Sequence, residues 1–281
     1  MRQSISLLIF FAFQPLSGFS QTIHHPVISD AVSHRGIPYA TIKVLNKPDG
    51  TYADSLGRFE IITDANDSLL VTCVGYQSKI VVPQRDTIFL DPVVVNLGEV
   101  KVRSKKSKEY AIGLADSKRS GIYQFRGNIH IEHAIMIKIS GSFTYYRIKG
   151  VRFNSLHRNG ISLVRLHIYK QNNAGMPGEE LLPEDVIINK EKESNDQIDL
   201  SRFNMILNDR VLFVGVENIQ LNVVSNPSKD ECIGFGFTFE EKQHLTYFRT
   251  LRDPTYKWRP SGNENKKSAN PFNLMVSLII D

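Results

Sequence analysis

The chain has 281 residues, 41 % of them hydrophobic and 22 % charged, a balance that builds apolar cores and excludes disorder over most of its length. Its formal net charge of +5 is local, because seven cations (Lys101, Arg103, Lys105, Lys106, Lys108, Lys118, Arg119) stand against two anions (Glu109, Asp116) between residues 101 and 120. A nucleic-acid reader spreads Lys and Arg over a folded face with interleaved aromatics, so this distribution excludes that class; two cysteines, Cys73 and Cys232, exclude a disulfide framework.

Residues 1–20 read as a secretory signal. Arg2 supplies a positive start, Ile5 to Phe13 form an apolar run, and Gly18 and Ser20 place the cut between Ser20 and Gln21. The run is too short to span a bilayer, which takes about 20 apolar residues. No cysteine follows it to carry a lipid anchor, and no later stretch is apolar enough to cross as a helix, so the expected product is exported and soluble. A buried N-terminal strand is the other reading of the same run.

From residue 24 to residue 102, short β-rich runs alternate with turns: Tyr39 to Val44, Arg58 to Ile62, Leu69 to Val74, Lys79 to Val82, Asp86 to Leu90 and Glu99 to Val102. Runs of four to six residues broken by Gly, Pro, Asn and Asp predict a small antiparallel sandwich. The stretches Gly36-Ile37-Pro38-Tyr39-Ala40-Thr41-Ile42-Lys43-Val44, Gly50 to Ile61, Val74-Gly75-Tyr76 and Leu97-Gly98-Glu99-Val100-Lys101-Val102 together resemble the carboxypeptidase regulatory-like domain. Physical logic agrees: Pro38 fixes φ at a strand entrance, the turn from Asp54 to Gly57 needs a residue free to take positive φ, and Tyr76 suits a sandwich edge with its ring inside and its hydroxyl wet.

The resemblance implies a seven-stranded, prealbumin-like sandwich, a module common on exported proteins of bacteria with an outer membrane. In that family it often precedes a TonB-dependent transporter barrel. Here 179 residues follow Val102 without a plug sequence, too few for a 22-stranded barrel. A peptidase reading fails on the residues. The two-histidine, one-carboxylate signatures H-x-x-E and H-E-x-x-H do not occur. In the nearest cluster, His130-Ile131-Glu132-His133, strand alternation puts His130 and Glu132 on one face and His133 on the other. His24-His25 is read as incidental.

Residues 103–120 read as a basic, Lys- and Ser-rich linker, a solvated tether that lets the flanking domains move. A second reading lets it contact an anionic envelope surface, lipopolysaccharide or phospholipid, at about 1 kcal/mol per lysine.

Residues 121–281 again read as β, with runs at His130 to Ser140, Phe143 to Phe153, Ser162 to Tyr169, Val186 to Lys192, Gln197 to Leu200, Arg210 to Glu217, Cys232 to Glu240 and Asn273 to Ile280. Alternation is clearest in Arg165-Leu166-His167-Ile168-Tyr169 and in Gly234 to Phe239. This pattern predicts a jelly-roll-like β-sandwich, with Asn173 to Pro183 as an exposed loop. The half is similar to unassigned sandwich domains that follow the regulatory-like module.

No catalytic motif is assembled in sequence. A G-x-S-x-G elbow, a phosphate loop and a calcium loop are missing. The neighbouring acids Glu179-Glu180, Glu184-Asp185 and Glu240-Glu241 would point to opposite strand faces, although a glycosidase pair can form from distant residues. The candidate binding residues are Tyr256 and Trp258, two apart and able to stack a sugar ring if extended; the competing reading makes Trp258 a plug in the sandwich end. Cys73 and Cys232 read as apolar fillers, with an interdomain bridge as the alternative.

The chain is therefore expected to be all-β and non-catalytic, with no cofactor and no metal. It is read as an exported envelope protein, periplasmic or on the cell surface, whose partner is a surface glycan or an envelope protein. The alternative is a carbohydrate- or peptide-directed hydrolase on the C-terminal sandwich; a third reading is a purely structural linker in a larger assembly.

Overall fold

The computed structural model describes residues 21–83, 85–93, 108–124, 130–156, 162–190, 194–219, 234–261 and 271–281. The export signal, the run at Glu99 to Val102, Cys232 and residues 103–107 of the linker lie outside the described residues. The fold is all-β, relieved among the described residues by one 3-10 turn at Ser201–Phe203.

The N-terminal part contains β1 (Thr22–His24), β2 (Val27–Asp30), β3 (Thr41–Val44), β4 (Gly50–Tyr52), β5 (Ile61–Thr63), β6 (Leu69–Thr72), β7 (Lys79–Val81) and β8 (Thr87–Leu90). Four of them form a sheet in the order β4-β3-β6-β7, with β1-β5 and β2-β8 as two-stranded companions. Period-two patterning drives the assembly: in β6, Leu69 and Val71 are buried while Leu70 and Thr72 stay half-exposed. They close a core with Ile28, Ile42, Val44, Ile88 and Leu90. The turn after β4 uses Asp54, whose Oδ1 accepts from the N–H groups of Leu56 (2.8 Å) and Arg58 (2.9 Å). Gly57 takes φ 81°, and a Cβ there would lie 2.5 Å from the Ile28 carbonyl oxygen.

Two features depart from the sequence-based expectation. The expected pairing is antiparallel throughout, but β2 pairs with β8 in parallel. Parallel pairing needs a crossover connection, and the sheet between β2 and β8 in the sequence supplies it. The Tyr76 hydroxyl is not simply wet: it donates to Asp30 Oδ2 at 3.0 Å.

The C-terminal part runs from β9 (Tyr110–Gly113) and β10 (Gly121–Gln124) through β11 (Ile131–Lys138), β12 (Tyr146–Leu156), β13 (Ser162–Gln171), β14 (Pro177–Glu180), β15 (Val186–Lys190) and β16 (Ser194–Asp199). It continues with β17 (Ile206–Leu207), β18 (Val211–Ile219), β19 (Gly234–Thr238), β20 (Thr246–Thr250), β21 (Arg259–Pro260), β22 (Asn273–Leu274) and β23 (Val276–Ile280). Two sheets form, in the orders β10-β19-β12-β23-β9 and β14-β13-β18-β11-β20-β21. The core between them joins Leu166 and Ile168 of β13, Leu212, Val214 and Val216 of β18, and Ile135 and Ile137 of β11 to Val151 and Phe153 of β12 and Leu278 and Ile280 of β23. This is a sandwich in which alternate residues of each strand face the partner sheet.

The linker expectation is corrected within its described residues. Tyr110–Gly113 is an edge strand antiparallel to β23, with Ile112 opposite Leu278 and packed on the core. One apolar side chain at the inward position is enough to seat this short segment. The loop expected at Asn173 to Pro183 keeps its turn at Gly175, φ 78°, but also contains β14, paired with β13.

Free motion between the two parts is corrected as well. Tyr52, Ile219 and Leu251 form a buried apolar contact between them, flanked by Tyr39, Leu163, Ile187 and Tyr256. β18 is buried on both faces: Leu212, Val214 and Val216 face the sandwich core, while on the other side Glu217 is covered by Tyr52 of the N-terminal part and Phe213 by Tyr247 and Trp258 of the C-terminal part itself.

Candidate functional site

Register places four charged residues in one lateral row on the outer face of the β14-β13-β18-β11-β20-β21 sheet. Arg165 of β13 stands opposite Glu217 of β18, Glu217 opposite Glu132 of β11, and Glu132 opposite Arg249 of β20. Charges therefore run plus, minus, minus, plus. Like charges directly opposite repel, and a buried charge must be paired to be tolerated. Glu132 is 2 % and Glu217 3 % exposed, so the row persists only because each acid has its own cation.

Those pairs are short. Arg165 Nη1 donates to Glu217 Oε2 at 2.8 Å, and Arg249 Nε donates to Glu132 Oε2 at 2.7 Å. His167, two residues along β13 from Arg165 and on the same face, bridges the acids. Its Nε2 lies 3.3 Å from Glu217 and 3.9 Å from Glu132, and its Nδ1 lies 2.7 Å from Glu180 of β14. Burial opposes its charge, but Glu132 and the hydrogen bonds to Glu180 and Glu217 prevail and push its pKa up to about 10. His167 is therefore a cation at neutral pH, donating from both ring nitrogens. Glu217 is held well below the usual carboxylate range: burial alone would raise it, and Arg165 and His167 reverse that.

The space for this arrangement comes from Gly215, directly opposite His167. A Cβ there would lie 2.9 Å from the His167 Cβ and 3.0 Å from Glu132 Oε1, so the close approach of acid and imidazole needs glycine. Glu180 is fixed by three backbone donors, the N–H groups of Ile168, Leu181 and Leu182, each at 3.0 Å. Tyrosines complete the network: the Tyr169 hydroxyl donates to Glu132 Oε1 at 2.6 Å, and the Tyr52 hydroxyl donates to Glu217 Oε1 at 2.7 Å.

The N-terminal part covers one side of the row. Arg165 Nη1 donates to Thr41 Oγ1 at 3.1 Å, and its Nη2 donates to the Tyr39 carbonyl and to Asp185 Oδ2. Cys73 points its thiol at Asp185 Oδ2, 3.5 Å away, and burial together with that carboxylate pushes the thiol pKa up. Between the parts lies a cleft of about 560 Å³, whose wall includes Thr72, Cys73 and Tyr76 on one side and Arg165, His167, Tyr169, Glu180, Arg249 and Tyr256 on the other. Arg165 Nε and Asp185 Oδ1 are buried without a hydrogen-bond partner.

Tyr256 and Trp258, the residues singled out from the sequence, do come together, but around a side chain. The Arg249 guanidinium sits 4.7 Å from the Tyr256 ring and 4.6 Å from the Trp258 ring, a cation–π clamp. Both rings are half-buried, and Tyr256 adopts φ 47°. Trp258 packs edge-on against Tyr169 at 5.9 Å on the outer face of the sheet, rather than plugging the sandwich end. Tyr256 lines the cleft.

His130 and Glu132 share a face as strand alternation requires, with His130 against Tyr52 at 4.8 Å. His133 turns the other way, toward Tyr123 at 5.0 Å. Glu180 and Asp185 turn inward, while Glu179 and Glu184 meet Lys170 and Arg202 at the surface. Sequence reasoning missed Arg165, His167, Glu217 and Arg249. The available signal was a charged residue inside a largely apolar run, Glu217 after residues 211–216 and Arg165 between Val164 and Leu166; alternation alone reads such residues as a solvated face. Among the described residues no cluster of His, Cys, Asp and Glu is arranged to hold a metal ion.

No protein-family model matches the chain, and no curated protein matches it. Similar solved structures include the clostridial cysteine protease Cwp84 after propeptide cleavage, with a TM-score of 0.41 and 11 % identity over 86 % of this chain and 66 % of that one. The cysteine protease and lectin-like domains of Cwp84, a surface-layer-associated protein of Clostridium difficile, give a TM-score of 0.43 at 11 % identity, over 86 % of this chain and 58 % of that one. Infectious bursal disease virus, Gt strain, gives 0.25 at 10 % identity over 92 % of this chain and 58 % of that one. The matches span less than two thirds of these chains, and none of the TM-scores reaches 0.5, so no role is carried over.

Proposed function

We propose that this protein is a non-catalytic binding module of a bacterial cell envelope, exported by its N-terminal signal, that takes a surface glycan or a polar segment of an envelope protein into the cleft between its two parts. One observation carries the reading: the buried acids beside the cleft are each committed to a cation, Glu217 to Arg165, Glu132 to Arg249 and Glu180 to His167. A general acid or base must exchange its proton near the working pH, and Glu217 is held far below it. What such a wall offers is fixed charge, tyrosine rings and hydrogen-bonding groups, the means of recognising a polar ligand. The regulatory-like resemblance and the export signal support the envelope setting.

The test uses residues 21–281 on a glycan array and in pull-downs from an envelope extract, beside Ser78→Trp, an exposed substitution on the cleft wall. Saturable binding to a glycan or one enriched envelope protein, lost in Ser78→Trp, supports the reading. Binding indifferent to that substitution removes the cleft from it. A hydrolase is the second reading, favoured by the adjacency of Glu132 and Glu217; product release from a glycan or peptide that stops in Glu217→Gln would establish it instead.

A further inference from the structure

We propose that the end of the C-terminal sandwich is a second binding site, separate from the cleft, for a small uncharged ring bearing one hydrogen-bonding group. The site is a pocket of about 240 Å³ lined by Tyr123, Ile131, His133, Phe248, Ser261 and Phe272. Strand register builds it. His133 and Phe248 are direct partners across β11 and β20, while Tyr123 comes from β10 of the other sheet. The Tyr123 ring lies 5.0 Å from His133 and 5.2 Å from Phe272, at steep angles. Aromatic walls from both sheets thus meet where the aliphatic core stops, and edge-to-face contacts of this kind suit a ring-shaped guest.

Two observations define the guest. No charged residue lines the pocket among the described residues: burial presses the His133 pKa down to about 3 and leaves its imidazole neutral. A charged guest would lose its hydration without compensation. Second, Ser261 is 4 % exposed and its hydroxyl has no hydrogen-bond partner among the described residues. A buried hydroxyl left unpaired is costly, and a guest with one polar substituent satisfies it. Sugars carry many hydroxyls and would leave most of them unpaired here. A cavity of about 150 Å³ accepts benzene, so this larger one accommodates a ring between phenol and indole in size.

Binding of p-cresol and of toluene to residues 21–281 tests this by titration calorimetry and ligand-observed NMR, since the two differ by one hydroxyl. The expected result is saturable p-cresol binding, about three- to tenfold tighter than toluene, the range one hydrogen bond provides. Ser261→Ala should erase that preference, and Ile131→Trp, which fills the pocket, should abolish both. Should Ile131→Trp fail to fold, shifts of the His133 ring resonances on adding p-cresol to the unsubstituted protein locate the site instead. Lack of saturable binding, equal affinity for both compounds, a preference that survives Ser261→Ala, or unmoved His133 resonances would each overturn the proposal.

Discussion

The hydroxyl of Tyr52, on the last residue of β4, donates to the Glu217 carboxylate of β18 across 2.7 Å, joining the two parts of the chain through a buried polar contact. Burial, and then the neighbouring acid, push the tyrosine pKa well up, so the hydroxyl keeps its proton. Tyr52→Phe preserves the ring against His130 and leaves Glu217 with Arg165 and His167; it should cost about 1–2 kcal/mol in urea unfolding. Tyr52→Ala also empties the apolar contact with Ile219 and Leu251 and should cost about 3–5 kcal/mol.

His167 makes stability depend on alkaline pH. Its folded pKa is raised to about 10 from an ordinary value of 6.5, so its contribution is complete below pH 6.5 and declines as pH rises through 10. Unfolding free energy measured from pH 6.5 to 10 should fall with a slope approaching 1.4 kcal/mol per pH unit. His167→Gln should flatten that slope; an unchanged slope would show that the bridge contributes nothing.

His133 acts at the acid end with the opposite sign. Burial lowers its pKa to about 3, so the unfolded chain binds this proton more readily, and stability should fall as pH drops from 6.5 toward 3. Replacement by Phe, close in size and uncharged, should remove that component and leave the alkaline slope intact.

Gly215→Ala tests the spacing of the charged row. The new methyl would meet the backbone-proximal Cβ of His167 rather than a flexible chain end, so β13 and β18 must part. We expect a loss of about 1–3 kcal/mol in thermal or chemical unfolding, together with weaker coupling between His167 and Glu217 in a double-mutant cycle.

Arg249→Met removes the cation of Glu132 and the centre of the Tyr256–Trp258 clamp. Stranding the acid should cost about 3–5 kcal/mol. Adding Glu132→Gln should recover a large part of that loss, because the stranded charge disappears with it. If the double variant is no more stable than Arg249→Met, the penalty lies in the lost aromatic packing.

The all-β class and most of the long strands were legible because their signal is local: alternation in β13 and β19, and glycine at the Asp54 to Gly57 turn. The charged row was not: Glu132 stands out only as a member of the His130 to His133 cluster, and Arg165, Glu217 and Arg249 have no identifying neighbour in sequence. Glu132, Arg165, Glu217 and Arg249 acquire meaning only through the register of four strands, and a polar face reads as solvated until a second layer is known to cover it. Tyr256 and Trp258 were legible as an aromatic pair, while the guanidinium between them, on β20, lies outside any local window. The edge strand at Tyr110–Gly113 was hidden by the basic composition around it; pairing with β23 supplies what its own sequence does not.

The position of β23 also constrains the order in which the sandwich can be built. It hydrogen-bonds to β12 on one side and β9 on the other, yet it is synthesised after both. Until it arrives, β12 and β9 present unpaired edges to one another and to neighbouring chains. Closure of the C-terminal core therefore waits on a distant contact, which slows folding and lengthens the interval of exposure to aggregation. A nascent chain of this design gains from a holding factor that masks sheet edges, and pulse-labelling during synthesis should find the β12 amides that face β23, rather than those that face β16, unprotected until residues 276–280 emerge.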